Sequence, residues 1–251
     1  MWLNFAQTIG IGSLSKETTL TQKLIAESAG TFGLVFTGTG AIVLNDVYDG
    51  SLGQIGIALA FGLAVTTMII AVGKISGAHI NPAVTLGFAA AGRMPLSHVA
   101  PFIASQIVGG ILASVLVVAL CPAHETLGAT IPAGSVLQSF VWEMVMTLLL
   151  MWVILMITAG PKTNLILIGL AVGAVVGLEA FFGGPISGAS MNPARSIGPA
   201  IVSMNLSILW LYIAAPVIGA IAAVPFCRCT RNSDCCSLPS FSSNASSPDM
   251  Q

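Results

Sequence analysis

Seven residues recur in the same order and spacing. Ile75-Ser76-Gly77-Ala78-His79-Ile80-Asn81-Pro82-Ala83 returns as Ile186-Ser187-Gly188-Ala189-Ser190-Met191-Asn192-Pro193-Ala194, and the second copy runs directly into Arg195. The side chains concerned are suited to holding a ligand rather than breaking bonds. Each asparagine amide offers N–H donors, each proline pre-sets a helical start, and Arg195 supplies a fixed cation with several donors. Two acids, Glu27 and Glu143, each followed four residues later by threonine (Thr31, Thr147), lie in otherwise apolar stretches. Their matched placement points to a structural role, since a buried carboxylate can accept backbone N–H groups that irregular segments leave free. His79 is expected to pack in the loop against one of these acids. Outside the two boxes no nucleophile–base pair or metal cluster stands out, so an enzyme is the least expected reading, with no cofactor or metal site.

The elements that must position these residues are membrane spans. The chain of 251 residues is 55% hydrophobic and only 7% charged, with a mean hydropathy of +0.95, whereas soluble domains carry about 25% charged residues. A net charge of −1 and the lack of a long basic tract give no reason to invoke nucleic acid, and none is expected as a partner. Six apolar runs are long enough to cross a hydrocarbon core of about 30 Å as helices, near Leu24–Leu44, Gln54–Val72, His98–Leu120, Val136–Thr158, Leu165–Phe182 and Ser207–Phe226. No cleavable signal peptide is expected ahead of them, since Met1 to Gln22 is mixed and polar. Lys16, Lys23, Lys74, Arg93, Lys162, Arg228 and Arg231 fall on one side, and Asp46, Asp49, His124 and Glu125 on the other, which puts both termini in the cytoplasm. The expected organisation is a cytoplasmic segment 1–22, a channel domain 23–226 with repeats of about 23–120 and 136–226, and a cytoplasmic, disordered tail 227–251. Asn244-Ala245-Ser246 fits a glycosylation sequon on the wrong side of the membrane. Cys227, Cys229, Cys235 and Cys236 read as free thiols or palmitoylation sites, with a metal site least favoured.

Three spans separate the two copies, so the halves are inverted relative to each other. In each copy Ser-Gly-Ala lets the chain dip into the bilayer, Asn caps a helix and Pro opens it. Each copy therefore reads as a re-entrant loop plus half-helix, and irregular backbone at membrane depth is tolerated only where protein or water satisfies it. Asn-Pro alone also initiates ordinary turns, but two copies in matching contexts make that reading poor. Half-helices entering from opposite sides bring two positive dipole ends together near the midplane. Water passing there would give its oxygen to the Asn81 and Asn192 amides and turn its hydrogens away from its neighbours. Cations are opposed, and proton transfer along the file is disfavoured. Arg195, against the alternative of snorkelling to an interface, presents its guanidinium to the pathway. Gly169, Gly173 and Gly177 in span five, with Ala58, Gly62 and Thr66 in span two, allow close helix approach. Glu179 has no evident partner besides Arg195; it either faces a helix interface in protonated form or borders the pathway. A secondary transporter also uses inverted repeats and broken helices, yet the breaks offer only amides and helix N-termini for coupling.

These residues resemble the aquaporin (major intrinsic protein) family over roughly Leu20 to Phe226. The resemblance rests on six spans, two Asn-Pro-Ala boxes (Asn81, Pro82, Ala83 and Asn192, Pro193, Ala194), the paired glutamates and Arg195. It implies an all-α membrane protein with six transmembrane helices and two re-entrant half-helices. It also implies a homotetramer in lipid, with a pore in each monomer, in the plasma or cell inner membrane. By position it places a selectivity filter at Phe61, Ala180, Ala189 and Arg195. Ala180 stands where water-selective members keep a histidine, which implies a wider constriction. Ser196, Ala200 and the run from Gly184 to Ser196 look like the nodulin-like intrinsic proteins of plants and their bacterial relatives, although Phe61 departs from the residue common there. The implied activity is passive passage of water and small uncharged solutes, among them glycerol, urea or metalloid hydroxides. A water-dominated channel is the alternative.

Overall fold

The structure, a computed structural model, describes residues 18–159 and 164–230. Among these are eight α-helices and no strand: α1 (Leu20–Val47), α2 (Gly53–Ser76), α3 (Pro82–Ala90), α4 (Leu96–Leu120), α5 (Val136–Ile157), α6 (Leu165–Ser187), α7 (Pro193–Val202) and α8 (Leu209–Thr230). Most of the expected terminal segments, with Lys16, Lys162, Arg231, Cys235, Cys236 and the Asn244 sequon, lies outside the described residues. Six helices of 22 to 28 residues have the length and apolar character of membrane spans. Their outer faces are apolar too: Ile55, Leu59 and Leu63 of α2 and Leu112, Leu116 and Leu120 of α4 are exposed. A helix hydrophobic all round is at home in a bilayer.

The two halves correspond element by element. α1, α2, α3 and α4 match α5, α6, α7 and α8, and the pairs α1–α4 and α5–α8 pack alike. α2 packs on α6 across the pseudo-twofold axis. Each half-helix packs on the last span of the opposite half, α3 on α8 and α7 on α4, so the halves interlock. The small residues expected at the α2–α6 crossing are there. A Cβ on Gly62 would lie 2.7 Å from the Gly173 carbonyl oxygen and 3.1 Å from Gly177 Cα, so only hydrogen lets the backbones approach. Thr66, the counterpart of Gly177, instead spans the gap by donating to the Gly169 carbonyl at 3.0 Å.

Several spans are longer than their apolar runs suggest, and in two of them the extension leads into the repeated motif. α2 continues past Val72 to Ser76, and α6 continues past Phe182 through Gly183-Gly184-Pro185 to Ser187. Pro185 lacks the N–H that would reach the Phe181 carbonyl four residues back. Gln54 Nε2 of α2 donates there instead, at 3.2 Å, and to the Ala180 carbonyl at 2.6 Å. Both helices end on a glycine in the left-handed region, Gly77 at φ +95° and Gly188 at φ +85°.

Candidate functional site: a pathway between two crossed loops

The half-helices begin as cap chemistry dictates. Asn81 and Asn192 are N-caps in extended conformation; Asn81 Oδ1 accepts from Ala83 N (2.8 Å), and Asn192 Oδ1 from Ala194 N (3.0 Å) and Arg195 N (3.3 Å). Pro82 and Pro193 occupy the first helical position, where no N–H is needed. With 9 and 10 residues, α3 and α7 each cover about half a bilayer's thickness at ~1.5 Å per residue.

What sets the two amides is the opposite loop. Asn81 Nδ2 donates to the Met191 carbonyl at 2.8 Å, and Asn192 Nδ2 to the Ile80 carbonyl at 2.9 Å. A primary amide has two N–H donors, so each asparagine keeps one for a passing oxygen. Ile80 (φ +44°) and Met191 (φ +51°) are in the left-handed region, a rare conformation for side chains of this size. The buried acids hold them there. Glu27 accepts from Ser76 Oγ (2.7 Å) and His79 N (2.9 Å) at Oε1, and from Ile80 N (2.7 Å) and Gln106 Nε2 (2.7 Å) at Oε2. Glu143 accepts from Ser187 Oγ (2.7 Å) and Ser190 N (2.8 Å) at Oε1, and from Met191 N (2.7 Å) at Oε2. Each acid thus grips the loop of its own half, and that loop orients the asparagine of the other. Thr31 and Thr147 donate to the backbone carbonyls of Glu27 and Glu143. His79 meets Glu27 through its backbone N–H; its ring contacts Thr85 Oγ1 at 3.1 Å and stacks on Phe88 with centroids 4.6 Å apart.

These loops border a cavity of about 300 Å³. Asn81 and Asn192 line it, together with Phe61, Ala189 and Arg195 and with Gly73, Phe88, Thr158 and Leu165. Much of its wall is apolar: Val65 and Ile69 of α2, Leu150 and Ile154 of α5, Ile168, Val172 and Val176 of α6. Arg195 is among the largest fully buried side chains of the described residues, 1% exposed. Its NH1 donates to the Gly128 carbonyl at 2.8 Å, and its Cζ lies 5.1 Å from the Phe61 ring centroid. A cation in the first turn of α7 opposes the helix dipole; the carbonyl and the aromatic face offset this.

Of the four expected filter residues, Phe61, Ala189 and Arg195 meet at the cavity. Ala180 is buried and follows Val176 by four residues on the same stripe, but it is not among the residues that line the cavity. Its counterpart in the first half is Ile69, whose longer side chain does reach the cavity. Glu179 is 3% exposed, lies outside the cavity lining, and its Oε2 has no protein partner. Sequence reasoning missed three contributors. Gln106 donates to Glu27 Oε2 and Thr85 Oγ1, Gly128 holds Arg195, and Gly38 abuts the Phe61 ring. A lone glutamine in span three was a detectable signal; the two glycines carried none.

The Major intrinsic protein family matches residues 14–226 of the chain. Aquaporin NIP1-1 of Zea mays is 46% identical over 202 residues, covering 80% of this chain and 72% of its own. Nodulin-26 of Glycine max is 41% identical over 220 residues, covering 87% and 81%. Among solved structures, the aquaglyceroporin from Plasmodium falciparum superposes with a TM-score of 0.78 at 24% identity over 83% of this chain and 95% of its own, a likeness of fold. With the family match over residues 14–226 spanning the helical bundle and both Asn-Pro-Ala boxes, the chain belongs to the major intrinsic protein family.

Proposed function

We propose that the chain is a passive channel for water and small uncharged solutes, wide enough for polyols such as glycerol, that excludes protons and ions. The observation that carries this is the cross-pairing of Asn81 and Asn192 at the cavity, which leaves each amide one donor for a passing oxygen. Two donors on the same oxygen, with two helix N-termini behind them, turn a file of waters in opposite directions on either side and repel cations. The apolar wall of α2, α5 and α6 suits the carbon face of a polyol, while the loops and Arg195 suit its hydroxyls.

In this reading Phe61, Ala180, Ala189 and Arg195 form the selectivity filter, and the methyl groups of Ala180 and Ala189 leave its width. Assembly as a homotetramer in lipid, with both termini cytoplasmic in a plasma or cell inner membrane, belongs to the same proposal. The placement of the termini is supported by Lys23, Lys74, Arg93 and Arg228 falling on one side and Asp46, Asp49 and Glu125 on the other. Stopped-flow light scattering on proteoliposomes tests the permeability. Wild type should pass water and glycerol without an ion gradient, and Ala180→His should lower glycerol permeability by about tenfold or more while sparing water. Glycerol at background in wild type would mean a water-dominated channel; gradient-dependent uptake would mean a transporter.

A further inference from the structure

The carbonyl that holds Arg195 belongs to neither repeat. Gly128 lies in the connection from α4 to α5, and its neighbour Leu127 has φ +52° with its side chain buried against Val43 and Val117. The Leu127 N–H donates to His124 Nδ1 at 3.0 Å, and His124 Nε2 lies 3.2 Å from Asp46 Oδ2 at the end of α1. A backbone N–H can only donate, so Nδ1 carries a bare lone pair. The proton of the neutral ring then sits on Nε2, aimed at Asp46. A second proton would have to occupy Nδ1, and Leu127 N–H would lose its acceptor.

We propose that His124 is a positioning residue for Arg195: neutral, it anchors the Leu127–Gly128 turn whose carbonyl holds the guanidinium, and protonated it lets go. This rests on the reading of Arg195 as a filter residue. The charged groups on the surrounding elements are few. Asp46 of α1 faces the ring, exposed Glu125 adjoins it in the chain, Asp49 lies on the turn after α1, and Arg195 of α7 reaches the segment through Gly128. α4 carries no Asp, Glu, Lys or Arg. A proton on Nδ1 breaks the Leu127 bond and leaves the Nε2 contact with Asp46 in place, so the turn is freed and the filter is what moves. Released from Gly128, the guanidinium retains its place by the Phe61 ring at the cavity and turns toward the lumen.

The test uses the full chain in proteoliposomes, with water and glycerol permeabilities measured from about pH 7.5 to about pH 5.5. Wild-type permeability should fall about threefold or more with a single-proton profile. In His124→Asn the amide oxygen can take the Leu127 N–H but cannot titrate, so the acid response should disappear; His124→Ala should stay low across the range. Hydrogen exchange at Leu127 and Gly128, corrected for intrinsic rate, should be about tenfold faster in His124→Ala than in His124→Asn. A flat wild-type profile, or an acid response kept in His124→Asn, overturns the proposal. Equal exchange in the two variants overturns the anchor itself, whatever solute passes. Absence of glycerol flux with intact, acid-sensitive water flux would count against the wide filter and leave the His124 role standing.

Discussion

Glu143→Gln is the sharpest probe of how the loops are held. The carboxylate is fully buried and accepts three hydrogen bonds, two at Oε1 and one at Oε2. Glutamine has the same shape but must place an NH2 at one end. With its oxygen at the Oε1 position it keeps Ser187 Oγ and Ser190 N–H and sets a donor against Met191 N–H; the reverse orientation sets a donor against Ser190 N–H, while the Ser187 hydroxyl can turn from donor to acceptor. One buried N–H left unpaired costs about 1–3 kcal/mol, and the surviving bonds weaken from about 1.5–3 to about 0.5–1.5 kcal/mol each when the charge goes. Release of a desolvated carboxylate offsets part of this, for a net loss of about 1–3 kcal/mol. The effect should cross between the halves, because the Met191 carbonyl is the acceptor for Asn81 Nδ2. The denaturation midpoint in detergent, followed by tryptophan fluorescence, should fall, and water permeability should drop severalfold. Glu27→Gln should be no cheaper, since Ile80 N–H and Gln106 Nε2 both face its Oε2. A Glu143→Gln protein with the wild-type midpoint and the wild-type water permeability would refute the anchoring role.

Two substitutions of glycine test the close approaches. A Cβ at Gly38 would lie 2.5 Å from Phe61 Cδ1 and from Cζ, so Gly38→Ala must displace the ring toward the cavity and weaken its contact with Arg195, worth about 0.5–2 kcal/mol. Glycerol permeability should fall by more than water permeability, and an unchanged ratio in stopped-flow traces would count against the ring's place in the filter. Gly62→Ala meets the Gly173 carbonyl at 2.7 Å; because backbone cannot step aside, overpacking should cost about 1–3 kcal/mol and lower the denaturation midpoint. An unshifted midpoint would mean that the α2–α6 crossing is looser than its geometry.

Much of the architecture could be read from residue types. Asn-Pro at matched positions is cap chemistry, and two such caps in apolar surroundings demand half-helices. The acids were legible as structural from their pairing alone. Their donors were not, because Ile80 and Met191 carry no turn signal; at these two positive-φ residues the N–H is claimed by Glu27 or Glu143 and the C=O by the opposite asparagine. The continuation of α6 through Pro185 was hidden for a similar reason: Gln54, 131 residues earlier in the numbering, takes the carbonyl that the proline strands.

By itself the sequence determined the solvent, the number of spans, the inverted halves and the identity of the polar groups set among them. Those follow from local rules: hydropathy over about 20 residues, cap preferences and the chemistry of an amide or a guanidinium. The tertiary structure alone decided who holds whom. Asn81 is set by Met191, Asn192 by Ile80 and Arg195 by Gly128, partners 110, 112 and 67 residues away. Hydrogen bonds at such separations depend on how the halves interlock, and interlocking is a property of packed backbones that no spacing along the chain records.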